Sequence, residues 1–460
     1  MRTRLTVTVG IAVITSVLAA AASGCGSGSG SGGKTIKVVF QKQLNSSNTV
    51  QPDYLAGQVK AFEKANPGTT VKLVPVTASE NDYYTKIQLM MRSPVTAPDL
   101  VYEDTATINS DVASGYLKPL DSYLATWKDW GQYAAASKAA MKYAKDGKTY
   151  GVPDNTDTRG IWYNKTLFQR AGIAVPWQPK TWDDVLGAAR TIKAKVPGVT
   201  PLNVYTGTAG GEQSSMQGFE MLLYGTPAGG SALYDASKQK WVVGSTGFKD
   251  ALNFVHTVYS ENLGPKVQQA LDVNIGASVG TEMIPQGKLA IDIDGSWMPN
   301  NWIRTGPKPW PQWQTTMGQA AMPTQHGQGK GRISMSGGWA WSIPAKAKNT
   351  DLAWKFLQSL ETERASAQWN NVNATIPVRQ DVAADPAYLK ALPTNQFFSG
   401  LVADTYYRPG VPTYTQVSTA IQKAMESVTT GQASVDKAAS TYDGDVKSAV
   451  GADQTVQGAQ

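Results

Sequence analysis

Apolar residues alternate through 35–40 (TIKVVF) and close up at its end, as in a strand that enters a core on one face and then on both. Residues 53–65 change to helical spacing and stop at Asn66-Pro67-Gly68, a triplet that ends helices. A second strand (71–76), a second helix (83–92) and a third strand (99–103, DLVYE) come next. Strand, helix, strand, helix, strand calls for an α/β fold with a parallel sheet and helices on its faces. Ligands of such sheets bind beyond the carboxyl ends of the strands, so the loops after Phe40, Val76 and Tyr102 come first as candidate site. Farther along, 142–153 (KYAKDGKTYGVP) sets an Asp146-Gly147 turn between two short strands. Thr181-Trp182-Asp183-Asp184 opens a helix to about Lys195; others run from Thr350 to Leu360 and over 415–428. The stretch 306–313, rich in Pro and aromatics, reads as an irregular surface excursion, and no repeat of fixed period is present.

The first residues behave differently. Arg2 and Arg4 precede an almost uncharged run over 5–22, the form of a secretory signal peptide. About 20 apolar residues could also span a bilayer, so the residues just after the run decide between the two. Cys25 is the only cysteine in 460 residues and cannot form an internal disulfide. It is preceded by Ala22-Ser23-Gly24, and this arrangement resembles the bacterial lipobox, where cleavage before the cysteine exposes it for diacylglycerol attachment. The usual pattern prefers Leu where Ala22 stands. Residues 1–24 are thus expected to be a lipoprotein signal peptide and 25–33 an acylated cysteine with a Gly/Ser tether reaching roughly 15 Å. The remaining ~430 residues exceed one ordinary core, so two lobes are expected. The formal charge of +7 falls to +5 without Arg2 and Arg4, and the cations are scattered, which argues against nucleic acid as a partner.

A series of short blocks then becomes informative by its order. Ala97-Pro98-Asp99-Leu100 is followed by Gly115-Tyr116-Leu117-Lys118-Pro119-Leu120-Asp121. Tyr150-Gly151-Val152-Pro153, Trp162-Tyr163-Asn164-Lys165, Ala171-Gly172-Ile173 and Thr181-Trp182-Asp183 come next. Gly287-Lys288-Leu289-Ala290, Gly295-Ser296-Trp297, Gly337-Gly338-Trp339 and Ile376-Pro377-Val378-Arg379 complete the series. In this order and spacing the chain resembles the extracellular solute-binding proteins of ABC importers, in the carbohydrate-binding family that includes maltose-binding protein. The resemblance implies a periplasmic-binding-protein type II-like fold. Two lobes, each with a mainly parallel sheet flanked by helices, would be joined by a hinge crossed three times. By this analogy the N-terminal lobe holds 34–153 plus 338–390 and the C-terminal lobe 156–335 plus 391–455. It also implies a monomer without cofactor or metal, partnered by importer permease subunits.

A sugar needs directional partners for its hydroxyls, which Asp, Glu, Asn and Gln supply, and flat surface for its C–H faces, which Trp and Tyr supply. Trp297 comes after Gly295 at the end of a predicted strand (LAIDID), where the family stacks a tryptophan on sugar; Trp339 comes after two glycines that permit close backbone approach. Glu103 and Asp104 end the third strand, and alternation lets only one of them face a ligand. Asp157 matches by position a family carboxylate that contacts sugar. Asn45 and Glu80 fall in the loops after the first two strands. Tyr205, Gly338 and Tyr414 enter on the resemblance alone. Trp182, Trp341 and Trp354 have the spacing of core residues, and Arg379 is the arginine expected near the cleft.

Other chemistries fit less well. A glycoside hydrolase places two carboxyls ~5–9.5 Å apart, and Asp292 and Asp294 would lie roughly 6.7 Å apart on one strand face. Both, however, sit in the block before Trp297, where the family has a structural strand. The only histidines, His256 and His326, have no third ligand near them, and no Gly-x-Ser-x-Gly turn or phosphate-cradling motif is present. A non-sugar solute such as a polyamine, peptide or glycerophosphodiester stays open, since Glu103, Asp104 and Asp157 with the tryptophans could box an amine.

Overall fold

The computed structural model describes residues 34–43 and 48–459. The expected signal peptide, Cys25, the expected tether and Asn45 lie outside them. The chain opens as expected: β1 (Lys34–Gln43), α1 (Val50–Ala65), β2 (Thr69–Ala78), α2 (Glu80–Met91) and β3 (Leu100–Asp104), followed by β4 (Val152–Pro153). It continues through β5 (Arg159–Asn164), α3 (Trp182–Lys195), β6 (Thr200–Asn203), α4 (Glu212–Ser215), α5 (Thr246–Ser260), β7 (Leu289–Gly295) and β8 (Met317–Ala320). β9 (Arg332–Ser336) and β10 (Trp339–Ser342) lead back to α6 (Thr350–Leu360) and α7 (Glu363–Asn373). β11 (Thr405–Tyr407), α8 (Tyr414–Thr429) and α9 (Val435–Val450) come last.

Two sheets organise these elements, in the orders β2-β1-β3-β10-β4 and β8-β5-β7-β6. They are mixed rather than mainly parallel. β1 runs parallel to β2 and β3, but β10 is antiparallel to β3 and β4, and β5 is antiparallel to β7 and β8. The reason is topological: β10 and β4 border the crossings between sheets, and a strand arriving from the other half need not follow a βαβ path. Each sheet is covered on both faces. In the first, Ile36, Val38, Phe40 and Leu100 face α1 and α6, while Val39, Val101 and Ala340 face α2. In the second, Ile161, Leu202, Ile291 and Ile293 meet α3, α5 and α8. Trp162 occupies the opposite face with Trp302 and Trp313. At roughly 1.5–3 kcal/mol per buried large side chain, these layers dominate stability.

Two local outcomes bear on the sequence expectations, one adding to them and one correcting them. The stretch 306–313 lies irregularly on the surface as expected, with Lys308, Pro309, Pro311 and Gln312 exposed, but it also turns two rings inward: Trp313 is buried, and Trp310 and Trp313 pack on Trp302 at 5.7 and 5.8 Å. Its Pro-rich backbone hides a set of inward rings. Glu80 is the first residue of α2 and not a loop residue, because the Ser79 hydroxyl accepts from the Asp82 amide and starts the helix three residues early.

The segments that join the sheets hold one another. Thr156 and Ile376 exchange backbone hydrogen bonds at 2.8 Å, and the Thr156 hydroxyl donates to the Gly337 carbonyl at 3.0 Å. The Asp157 carboxylate accepts from the Gly337 amide at 2.9 Å. Gly338, with φ of 133°, has backbone that side chains resist, and a Cβ there would collide with the Asn155 carbonyl. Strands 152–153 and 159–164 are thus linked through a three-stranded hinge.

Candidate binding site

Between the lobes lies a cleft of about 560 Å³, within the ~300–1,000 Å³ of small-molecule sites. One wall is built on β3 and β10, which pair Asp104 with Trp339 and Tyr102 with Trp341. The Trp339 ring stacks on Tyr102 at 5.1 Å and 12°, and the Tyr102 hydroxyl donates to Asp154 at 2.5 Å. The Tyr84 hydroxyl reaches both Glu80 (2.8 Å) and Asp104 (3.1 Å). Burial first, and the Asp104 charge second, push the Glu80 carboxyl up to about 7.

The facing wall carries Trp297. Its ring lies against Gly295, where a Cβ would fall into the indole, and the Arg159 guanidinium sits over it, 4.9 Å from the ring centre. Arg159 is ion-paired with Asp157 and donates to the Gln217 side-chain oxygen at 2.9 Å. Tyr205 donates to Asp294 at 2.8 Å, and burial raises the Asp294 carboxyl to about 6 despite that bond. Arg408 joins the walls: buried, it pairs with Asp104 from the first lobe and with Glu212 of the second, at 3.2 Å. At the far end Asn300 accepts from Asn48 and donates to Asn373, both at 2.8 Å.

Of the residues singled out from sequence, Glu80, Asp104, Asp157, Tyr205, Trp297, Gly338 and Trp339 line the cleft. Glu103 does not. It points to the opposite face of β3, fully buried, and neither carboxyl oxygen has a hydrogen-bond partner among the described residues. Burial, with Asp111 nearby, holds its carboxyl well above the ordinary range. Tyr414 sits behind the wall, its hydroxyl within hydrogen-bond distance of Glu212 (2.9 Å) and Glu220 (2.7 Å), so it reaches the cleft only through Glu212.

Arg379, expected near the cleft, is held elsewhere by Asp381, Asp129 and the Glu361 carbonyl. The arginines of the cleft are Arg159 and Arg408. Arg159 had a readable signal, since it lies two residues after Asp157 and so on the same side of an extended segment. Arg408 and Glu212 had none: one comes from a loop, the other from a single helical turn after Gly211. Asp294 lines the cleft while Asp292, bonded to Asn203 at 2.9 Å, does not, so the two carboxyls do not face one substrate. No group of three or more His, Cys, Asp or Glu among the described residues could hold a metal ion.

An interlobe cleft with aromatic plates on both walls is the geometry of a binding protein, and comparison with known sequences decides the family. The profile of the bacterial extracellular solute-binding proteins matches residues 46–367. The chain belongs to that family. Among curated relatives of this solute-binding protein is a galactooligosaccharide-binding protein of Bacillus subtilis, 25% identical over 85% of this chain and 86% of its own. A putative binding protein of Brucella abortus is also 25% identical, over 82% of this chain and 85% of its own. Among solved structures, the GacH receptor of Streptomyces glaucescens, studied unliganded and with acarbose, superimposes with a TM-score of 0.76 at 23% identity. That match covers 91% of this chain and 98% of GacH. A Thermotoga lettingae solute-binding protein bound to α-D-tagatose gives 0.76 at 24% identity, over 90% and 99%. The solute-binding protein therefore has the type II, maltose-binding-protein-like fold of ABC-importer receptors, and its family acts outside the cytoplasm.

Proposed function

We propose that this solute-binding protein captures a carbohydrate, of oligosaccharide size, and delivers it to an ABC importer without transforming it. The observation that carries the reading is the pair of tryptophans on opposite lobes, Trp339 and Trp297, with carboxylates and amides between them. Flat rings suit the C–H faces of sugars, and the side chains between suit their hydroxyls. The ligands of several relatives, among them galactooligosaccharide and maltose, support the same class. The Cys25 motif and the tether support a lipid anchor on the outer face of the cell membrane. Among the described residues no helix is long and apolar enough to cross a membrane. Closure would come from differential affinity: a solute touching both lobes favours the form in which both touch it. A thermal-shift screen of mono- and oligosaccharides, followed by scattering with and without each hit, tests the reading. Stabilisation by at least one sugar with contraction of the envelope is expected; no hit, or reproducible cleavage of a sugar, overturns it. Mass spectrometry of membrane-extracted protein would show the diacylglycerol on Cys25 or its absence.

A further inference from the structure

The cleft is more acidic than a neutral sugar requires. Six carboxyl groups line it, Glu80, Asp82, Asp104, Asp157, Glu212 and Asp294, against three cations, Lys42, Arg159 and Arg408. Both guanidiniums are already committed: Arg159 to Asp157, and Arg408 to Asp104 and Glu212 together. Half-buried Lys42 and exposed Asp82 offset each other. The rest of the charge is concentrated where the lobes meet. There Glu80, Asp104 and Glu212 surround the single Arg408, with Tyr84 bonded to two of the three acids. Asp294 adds a second acid beside Tyr205.

A ligand group that reaches the junction of the lobes meets these carboxylate acceptors. An ammonium group donates up to three hydrogen bonds and removes the repulsion among the acids, whereas a hydroxyl supplies one donor and no charge. Gln217 lies in the same wall, and its buried side-chain nitrogen has no hydrogen-bond partner among the described residues.

We propose that the solute is an amine-bearing saccharide, whose cation docks against Glu80, Asp104 and Glu212 while its rings lie on Trp339 and Trp297. This rests on the carbohydrate reading above and narrows it. The sign of the pH dependence is set by the groups packed on Glu80: Tyr84 from its own helix, Asp104 from β3, Glu212 and Arg408 from the second lobe. Burial and the Asp104 charge raise its carboxyl to about 7, so above that pH it carries the charge an amine needs. Below it the charge is lost, and the preference for an amine should weaken.

The test is calorimetry with matched pairs drawn from malto-, cello-, manno- and galacto-oligosaccharides. Each neutral sugar is set beside its 6-amino-6-deoxy form, whose amine stays protonated from pH 5.5 to 8. At pH 8 the amino member of at least one pair should bind tenfold or more tightly than its neutral partner. At pH 5.5 that advantage should fall to threefold or less, and Glu80→Gln should lower the same ratio at pH 8. Neutral members binding as well as the amino ones in every pair, or an advantage unchanged by pH, overturns the inference and leaves the carbohydrate reading standing. If no member of any pair binds, both fall.

Discussion

The two tryptophan plates of the cleft are held by different physics. Trp339 rests on Tyr102, with Tyr83 and Tyr84 beside it at 6.2 and 6.4 Å, so its position is set by packing of neutral rings. Trp297 rests under Arg159, whose charge is fixed by Asp157, and Asp157 in turn accepts from the Gly337 amide of the hinge. One wall is therefore a passive surface. The other is wired to the segments that join the two sheets. The Trp339 ring should hold its place whatever the ionisation of the acids beside it; the Trp297 ring should respond to whatever disturbs the ion pair.

Arg408 is ion-paired to acids of both walls, and removing it is expected to have the largest effect. Arg408→Met would strand Asp104 and Glu212 as buried charges without their partner, at a cost of about 3–5 kcal/mol in unfolding free energy. Urea unfolding at pH 8 measures it. A loss below 1 kcal/mol would mean that the walls do not depend on their shared cation. The plates come next. Trp297→Ala and Trp339→Ala should each weaken binding of the cognate solute by about 2 kcal/mol, roughly thirtyfold. Calorimetry of each variant with that solute measures it, and an affinity within threefold of the parent's would remove that ring from the site.

The walls also differ in how far sequence revealed them. Both plates stood out, because each comes after a glycine at a strand boundary, and the opening β-α-β-α-β run placed Asp104 at a carboxyl strand end. The α3 helix was legible to its ends, since Thr181 and Asp184 form a capping box. The residues that enter the cleft from segments without periodic pattern could not be read. Glu212 and Arg408 are 196 residues apart and meet only because α8 and α4 pack together behind the second sheet. Glu103 shows the limit from the other side. Alternation stated that one of Glu103 and Asp104 faces the ligand, and only the neighbours, Asp111 and Gln88 behind the sheet, decide which.

That hidden pair gives the third expectation. Glu103 and Asp111 both have carboxyls raised by burial, Asp111 to about 7. A carboxyl whose folded pKa exceeds its unfolded one binds its proton more tightly in the native state. Its stabilising contribution is complete below the unfolded pKa and is lost as pH rises through the folded one. The protein should therefore lose stability from about pH 4.5 up to pH 7 and beyond. Glu103→Met, which replaces orphaned oxygens by a side chain of similar shape, should flatten that profile. The variant should gain on the order of 1 kcal/mol at pH 8 and less at pH 5. Parallel pH profiles for the variant and the parent in thermal unfolding would contradict it.

The smallest effect separates the two walls most cleanly. Arg159→Lys keeps the charge opposite Asp157 but loses the planar fork that reaches Gln217 and covers the Trp297 ring. About 0.5–1 kcal/mol of solute affinity should go with it, because the plate is held less firmly in register once its guanidinium lid is gone. Tyr102→Phe is the matching change on the other wall. It removes the hydroxyl that donates to Asp154 yet leaves the ring under Trp339, so affinity should hold within about 0.3 kcal/mol even where stability falls. Equal losses in the two variants, measured by calorimetry at one pH and salt, would show that both plates are held the same way. The division between a packed wall and a charged one would then have no consequence for binding.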